Sequence, residues 1–242
     1  MAKKVVTKKA AVKKPAAKKS VSADSLVKLS KDPAAEKRRM LAILEILRRE
    51  YPEAKCSLDF NSPFQLLVAT MLSAQTTDER VNKVTPALFA KFPTPGEMAA
   101  APLKEIEKLI QSTNFYRNKA IALKTMSNSL LEEHGGAVPR TLDELVKLRG
   151  VGRKTANVVL GNVFDVPGMV VDTHVGRIAR RLGFTKNDDP VKVESDLEKV
   201  TPREDWTELA HLFIAHGRAI CTARRAKCEE CPVARFCPKI GV

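Results

Sequence analysis

Three groups of residues in this 242-residue chain have the types and spacing to do chemistry. The first is the run Leu148-Arg149-Gly150-Val151-Gly152-Arg153-Lys154-Thr155-Ala156. Two glycines two residues apart let the backbone turn tightly and aim consecutive N–H groups from a helix N-terminus, a geometry that can hold a phosphate oxygen. Such a contact carries no sequence information, and the same spacing also suits an ordinary helix–turn–helix connection in which glycine permits close packing. The second is Asp172, which follows the extended Met169-Val170-Val171 and precedes Val175, Ile178, Ala179 and Leu182 at helical spacing. That is an N-cap position, and capping alone would account for an aspartate there. The third is Cys221, Cys228, Cys231 and Cys237, with gaps of six, two and five residues. Four thiolates suit structural zinc or an iron–sulfur cluster; the gaps are not the two matched C-x2-C knuckles of a zinc ribbon.

The elements that must position these groups read as helices. Glu36–Glu50 carries Met40, Leu41, Leu44 and Leu47 on one stripe, and Pro63 opens a helix through Phe64, Leu67, Val68, Met71 and Leu72. Asp78–Ala90, Leu103–Gln111 and Asn118–His134 repeat the pattern, the last stopped by Gly135-Gly136. Thr141 and Glu144 have the spacing of a capping box ahead of Leu142, Leu145 and Leu148, so a short helix should end where the glycines begin. No alternating run is long enough for a sheet, and the expected class is all-α with short connections.

Composition narrows the function classes. The hydrophobic share of 44% with only 11 glycines supports a substantial core and excludes wholesale disorder or a collagen-like chain. The net charge is +14, of which eight lysines in residues 1–20 supply more than half; subtracting them leaves +6 for the other 222 residues. That lysine-paired, acid-free stretch reads as a solvated, disordered arm, able in principle to touch nucleic acid. No apolar run approaches the roughly 20 residues that span a bilayer, and lysine pairs interrupt any secretory h-region. The expectation is a soluble, cytoplasmic, nucleoid-associated monomer without a membrane partner. Four of the five cysteines crowd into the last 22 residues and Cys56 stands alone, which favours a metal site over a disulfide framework. Cys56 itself reads as a half-buried thiol without a role.

Taken together, L-x-G-V-G-R-K-T-A at 148–156, Val170-Val171-Asp172-Thr173-His174, the four-cysteine array and Leu72-Ser73-Ala74-Gln75-Thr76-Thr77-Asp78 resemble the endonuclease III family of the helix-hairpin-helix DNA glycosylases. The likeness runs from about residue 36 to the C-terminus. It implies a two-lobed fold: a disordered tail at 1–33, a six-helix barrel with the hairpin at 57–166, and a discontinuous cluster lobe formed by 34–56 and 167–242, with its [4Fe-4S] site at 221–237. The implied activity is removal of oxidised pyrimidines from double-stranded DNA, followed by β-elimination at the abasic site. Lys154 would be the nucleophile. A neutral amine is needed, and an ordinary lysine of pKa about 10.4 is protonated at neutral pH; the helix dipole, Arg153 and desolvation by DNA would act against that proton. Asp172 would stabilise charge on the sugar and help move protons, while remaining apart from Lys154, because a close carboxylate would hold the amine protonated.

The resemblance assigns further residues. Gly150, Val151, Gly152, Arg153 and Thr155 would meet the DNA backbone. Gln75 would take the space beside the orphaned base, and Phe115 would wedge the opposite face. Ser73, Asp78 and His174 would line the base pocket. Arg224, Arg225 and Lys227 would form a basic edge between the first two cluster ligands. Arg149 stands where the family commonly has proline, and Asn114 where it commonly has glycine. Two other readings compete. Adenine-mismatch glycosylases share the cluster but lack the hairpin lysine and carry a further C-terminal domain, whereas here Lys154 is present and five residues follow Cys237. A non-catalytic, histone-like DNA-binding protein would share the lysine arm and hairpin but would not turn over.

Overall fold

A computed structural model describes residues 29–30 and 32–242; the lysine-rich stretch falls in 1–28, outside the described residues. Among the described residues there are eleven α-helices, two 3-10 turns and no strand. In chain order the helices are α1 (Pro33–Glu50), α2 (Pro63–Leu72), α3 (Asp78–Lys91), α4 (Pro95–Ala100), α5 (Leu103–Ile110) and α6 (Tyr116–His134). They continue as α7 (Leu142–Leu145), α8 (Arg153–Val163), α9 (Thr173–Arg181), α10 (Pro190–Val200) and α11 (Trp206–Ala219). None is long and apolar enough to cross a membrane.

Local chemistry sets most of the starts. Asp32, Ser62, Thr77 and Asp189 each accept from first-turn N–H groups of α1, α2, α3 and α10, a contact worth about 1 kcal/mol. Proline in the first turn of α1, α2, α4 and α10 removes an N–H that would otherwise lack a partner. Helix α4, too short for periodicity to announce, is closed by a full capping box between Thr94 and Glu97. The box expected at Thr141 forms on one side only. Glu144 N–H donates to Thr141 Oγ1 at 3.4 Å, but the Glu144 carboxylate accepts from the Thr141 hydroxyl instead of the backbone N–H.

The buried apolar side chains form two cores. One gathers Phe64, Leu67, Val81, Ile106, Leu123 and Leu160 from α2, α3, α5, α6 and α8. The other gathers Met40, Leu44, Ile178, Leu197 and Phe213 from α1, α9, α10 and α11, although the whole first core lies between α1 and α9 in sequence. Each fully buried side chain of this kind contributes about 1.5–3 kcal/mol. Helix α8 serves both cores, since Val158 packs against each of them. A Cβ on Gly161 would lie 2.4 Å from Thr207 Oγ1, so only glycine lets α8 meet α11 this closely. Polar ties span the same seam: His211 Nε2 to Asn162 Oδ1 at 2.9 Å and Arg153 to Glu194 at 2.8 Å.

Candidate active site and cysteine pocket

The glycine run turns the chain from α7 into α8. Val151 N–H donates to the Leu148 carbonyl at 3.1 Å, and the buried Val151 side chain pins the turn to the first core. Gly150 has φ +82°, a left-handed conformation, and its missing Cβ would meet Met71 Cε at 2.9 Å and Ala122 Cβ at 3.2 Å. Gly152 has no neighbour within 4 Å of its missing Cβ and faces open space. It is the N-cap of α8, with no side-chain cap and no acidic residue in the first turn. Most helices here satisfy their first N–H groups with a serine, threonine or aspartate; α8 presents them uncapped, with the positive end of its dipole.

Lys154 is exposed in that first turn, and Thr155 is half-buried beside it. Arg153 does not reinforce the positive field as the sequence implies. Its guanidinium donates to Glu194 Oε1 through Nε at 3.1 Å and NH2 at 2.8 Å, and the nearly buried carboxylate offsets its charge. Arg149 is exposed.

Asp172 caps α9: its Oδ1 accepts from Val175 N–H at 2.8 Å, and its second oxygen accepts no hydrogen bond among the described residues. It forms no ion pair with Lys154 among the described residues; the ion pairs around α8 and α9 are Arg153 with Glu194 and Arg180 with Asp188. His174 Nδ1 lies 3.1 Å from Arg177 NH2. Arginine can only donate, so Nδ1 accepts and the neutral ring carries its proton on Nε2. Burial holds this imidazole below the usual histidine range despite the pull of Asp172. His174 is thus tied to Arg177 within α9, two residues beyond Asp172.

In the loops that follow α2 and precede α6, Gln75 and Phe115 are both exposed in left-handed backbone, at φ 54° and 58°. Phe115 is 62% exposed, so it is no core aromatic. The Asn114 side-chain amide donates to the Gln75 carbonyl, which puts the two loops side by side. Ser73 caps the end of α2, its hydroxyl donating to the Thr70 carbonyl at 2.8 Å. Asp78 pairs with Arg218 at 3.1 Å, and Arg218 also donates to Ser57 Oγ at 3.0 Å. Sequence reading missed Arg218 and Ser57, because their partners are far away in the chain and no local pattern marks them.

The four cysteines line one pocket with Ile178, Leu182, Ile220 and Val233. They do not converge on one point: among the described residues no three or more His, Cys, Asp or Glu side chains gather as they would around a single ion. Burial, with the other thiols nearby, pushes the Cys231 thiol up to about 12, and Cys237 also rises. Four thiolates in such apolar surroundings require a cationic partner. Two N–H groups already face the sulfurs, Arg181 NH1 to Cys221 Sγ and Lys239 N to Cys237 Sγ, each at 3.3 Å. Arg181 also holds the loop that follows, donating to the Thr222 carbonyl at 2.8 Å and the Ala223 carbonyl at 3.2 Å. Arg224, Arg225 and Lys227 are exposed on that loop.

Comparison with known proteins agrees with this geometry. Residues 68–203 match the HhH-GPD superfamily base excision DNA repair protein family. The chain is 51% identical to Endonuclease III of Synechocystis sp. over 87% of its own length and 96% of that protein. A non-covalent Endonuclease III–DNA complex superposes with a TM-score of 0.78 at 44% identity, covering 83% of this chain and 94% of the other. A trapped Endonuclease III–DNA covalent intermediate gives the same TM-score and identity, over 83% and 95%. By sequence, fold and site, the chain belongs to the endonuclease III family of the HhH-GPD superfamily of base excision DNA repair proteins.

Proposed function

We propose that this protein is a bifunctional DNA glycosylase and abasic-site lyase acting on oxidised pyrimidines in duplex DNA. The observation that carries the site assignment is Lys154: exposed, in the first turn of an uncapped helix, directly behind a glycine turn whose open face can receive a phosphate. The Lys154 amine attacks C1′ of the damaged nucleotide; the glycosidic bond breaks and its electron pair leaves with the base. The nitrogen of this adduct loses its protons as the C1′–O4′ bond breaks and O4′ leaves as a hydroxyl, giving an imine at C1′; the imine draws the electrons released when a proton is lost from C2′, and the C3′–O bond breaks with the phosphate as leaving group. Asp172 stabilises positive charge on the sugar and assists the proton movements. Its place at an N-cap fixes one oxygen and leaves the other for that task.

Gln75 and Phe115 fill the space left by the extruded base, from adjacent loops with exposed side chains. Gly150, Val151, Gly152 and Thr155 position the backbone phosphate, and Arg224, Arg225 and Lys227 add a basic edge. Cys221, Cys228, Cys231 and Cys237 hold a [4Fe-4S] cluster, whose contribution when bound is to fix the loop that carries this edge. The cysteine spacing, which is not that of a zinc ribbon, and membership of the endonuclease III family support the iron–sulfur cluster over a single zinc. The first core, with the hairpin, is the barrel lobe over about 57–166, and 34–56 with 167–242 form the cluster lobe.

Borohydride added during the reaction tests the central step. It should reduce the imine and fix the protein covalently to the lesion strand, and Lys154→Gln should abolish both adduct and strand cleavage. Abundant adduct from Lys154→Gln would refute the assignment, and a wild-type protein that binds damaged duplex without cutting it would be a binder rather than an enzyme.

A further inference from the structure

Lys119, in the first turn of α6, is a cation buried without an anion. It is 9% exposed, and no carboxylate pairs with it among the described residues. Its three ammonium protons go instead to the Leu72 carbonyl at 2.7 Å, the Ala74 carbonyl at 2.8 Å and Thr76 Oγ1 at 3.0 Å. Leu72 ends α2, so the ammonium sits on the negative end of that helix and satisfies carbonyls that the helix leaves open. Thr76 Oγ1 also accepts from Asn114 N–H at 3.1 Å. One hydroxyl therefore joins the Lys119 ammonium to the loop that carries Phe115, while the two carbonyls join it to the loop that carries Gln75.

Both loops need such support. Gln75 and Phe115 occupy left-handed backbone, which costs a residue with a side chain on the order of 1–3 kcal/mol unless its surroundings enforce it. Phe115 is the N-cap of α6 and makes no side-chain capping bond; its tie to the helix is its carbonyl, which accepts from the Lys119 N–H at 3.0 Å. Burial pushes the Lys119 amine below its usual range. The fold bears that cost at a position that touches no other part of the proposed site.

We propose that Lys119 is a positioning residue that presets Gln75 and Phe115 as one unit, so that the gap left by an extruded base is filled without ordering two loops. The proposal rests on the gap-filling reading of Gln75 and Phe115, and its test separates the two. Full-length, cluster-loaded protein is mixed with duplex carrying one oxidised pyrimidine and 2-aminopurine as the adjacent base. Fluorescence follows extrusion, and single-turnover excision at saturating enzyme is followed in parallel. Lys119→Met should lower both by about 10- to 100-fold, the loss that a displacement of about 1 Å can cause. Affinity for undamaged duplex should stay unchanged, and cleavage at a preformed abasic site should fall less.

In the Gln75→Ala background, Lys119→Met should cost clearly less than in wild type, because the two act by one route. Equal cost in both backgrounds would overturn the proposal. Full extrusion by Lys119→Met, with Gln75→Ala and Phe115→Ala impaired, would overturn it while leaving gap filling intact. If Gln75→Ala and Phe115→Ala are both silent, gap filling fails and the proposal with it. Should Lys119→Met not fold, Thr76→Val removes the shared hydroxyl while the Lys119 ammonium keeps its two carbonyl acceptors. It should slow extrusion in the same direction, and unchanged extrusion would refute the linkage.

Discussion

Gly150 and Gly152 look equivalent in sequence, yet the structure gives them separate tasks that two alanine substitutions can divide. At Gly150 alanine must adopt φ +82°, at a cost of about 1–2 kcal/mol. Its Cβ also meets Met71 Cε at 2.9 Å and Ala122 Cβ at 3.2 Å. The Met71 methyl can swing aside; the Ala122 Cβ, fixed on α6, cannot, and overpacking of this kind adds about 1–3 kcal/mol. The sum is roughly 2–5 kcal/mol, a fall in melting temperature of roughly 4–20 °C for a chain of this size. At Gly152 the φ of −93° is ordinary and nothing lies within 4 Å. Gly152→Ala should therefore melt at or slightly above wild type, through the reduced entropy of the unfolded chain. Its methyl, however, stands in the open space before the first N–H groups of α8. Losing one hydrogen bond to a charged phosphate costs about 1.5–3 kcal/mol, roughly 10- to 150-fold in Kd. Circular-dichroism melts and fluorescence anisotropy on an undamaged duplex read the two effects apart. Gly152→Ala that melts as low as Gly150→Ala, or binds duplex as tightly as wild type, would refute the division.

Three further outcomes are expected. Asparagine caps a helix about as well as aspartate, so Asp172→Asn should keep its melting temperature while excision slows by about 10²-fold or more; equal rates would leave the carboxylate with no catalytic task. Purified protein from iron-replete cells should be yellow-brown with about four irons and four sulfides per chain, and stoichiometric zinc without iron would exclude the cluster. Burial holds His211 below the usual 6.5, so as pH falls the unfolded chain takes up a proton that the folded state refuses, and stability drops with pH through and below that value. His211→Gln keeps a donor for Asn162 and should flatten the decline in melting temperature between about pH 7.5 and 5.5; an unchanged slope would show that His211 is not the group concerned.

The hairpin, the N-cap at Asp172 and the cysteine array could be read from the sequence because each is local: glycine spacing, a cap before an apolar stripe, and ligand gaps. The all-α class followed from the same periodicity. What could not be read depends on chain segments meeting across the fold. Arg153 follows the hairpin, and nothing local announces that its half-exposed guanidinium pairs with Glu194 on α10. Asp78 opens α3, and no local pattern announces its ion pair with Arg218 on α11. Lys119 is an unremarkable lysine in a helical stretch until α2 ends against its ammonium. Helix α4 is a different case: Thr94 and Glu97 carry a complete box, but the six residues are too few to show a stripe.

The seam at α8 has a consequence for the substrate. The helix whose first turn bears Lys154 is wedged between the two cores by Val158, abuts Thr207 through Gly161, and is fastened by Glu194 and His211 to the second lobe. A hinge along that line would have to break apolar packing, an ion pair and a hydrogen bond together, so the first turn of α8 keeps its place between the two lobes. The duplex, not the protein, must then bend to bring a lesion to the lysine. Bending energy depends on base-step stiffness, costing less at pyrimidine–purine steps than in A-tracts. The same damaged base should therefore be processed at different speeds in supple and stiff flanking sequence, a preference that arises without any side chain reading a base edge.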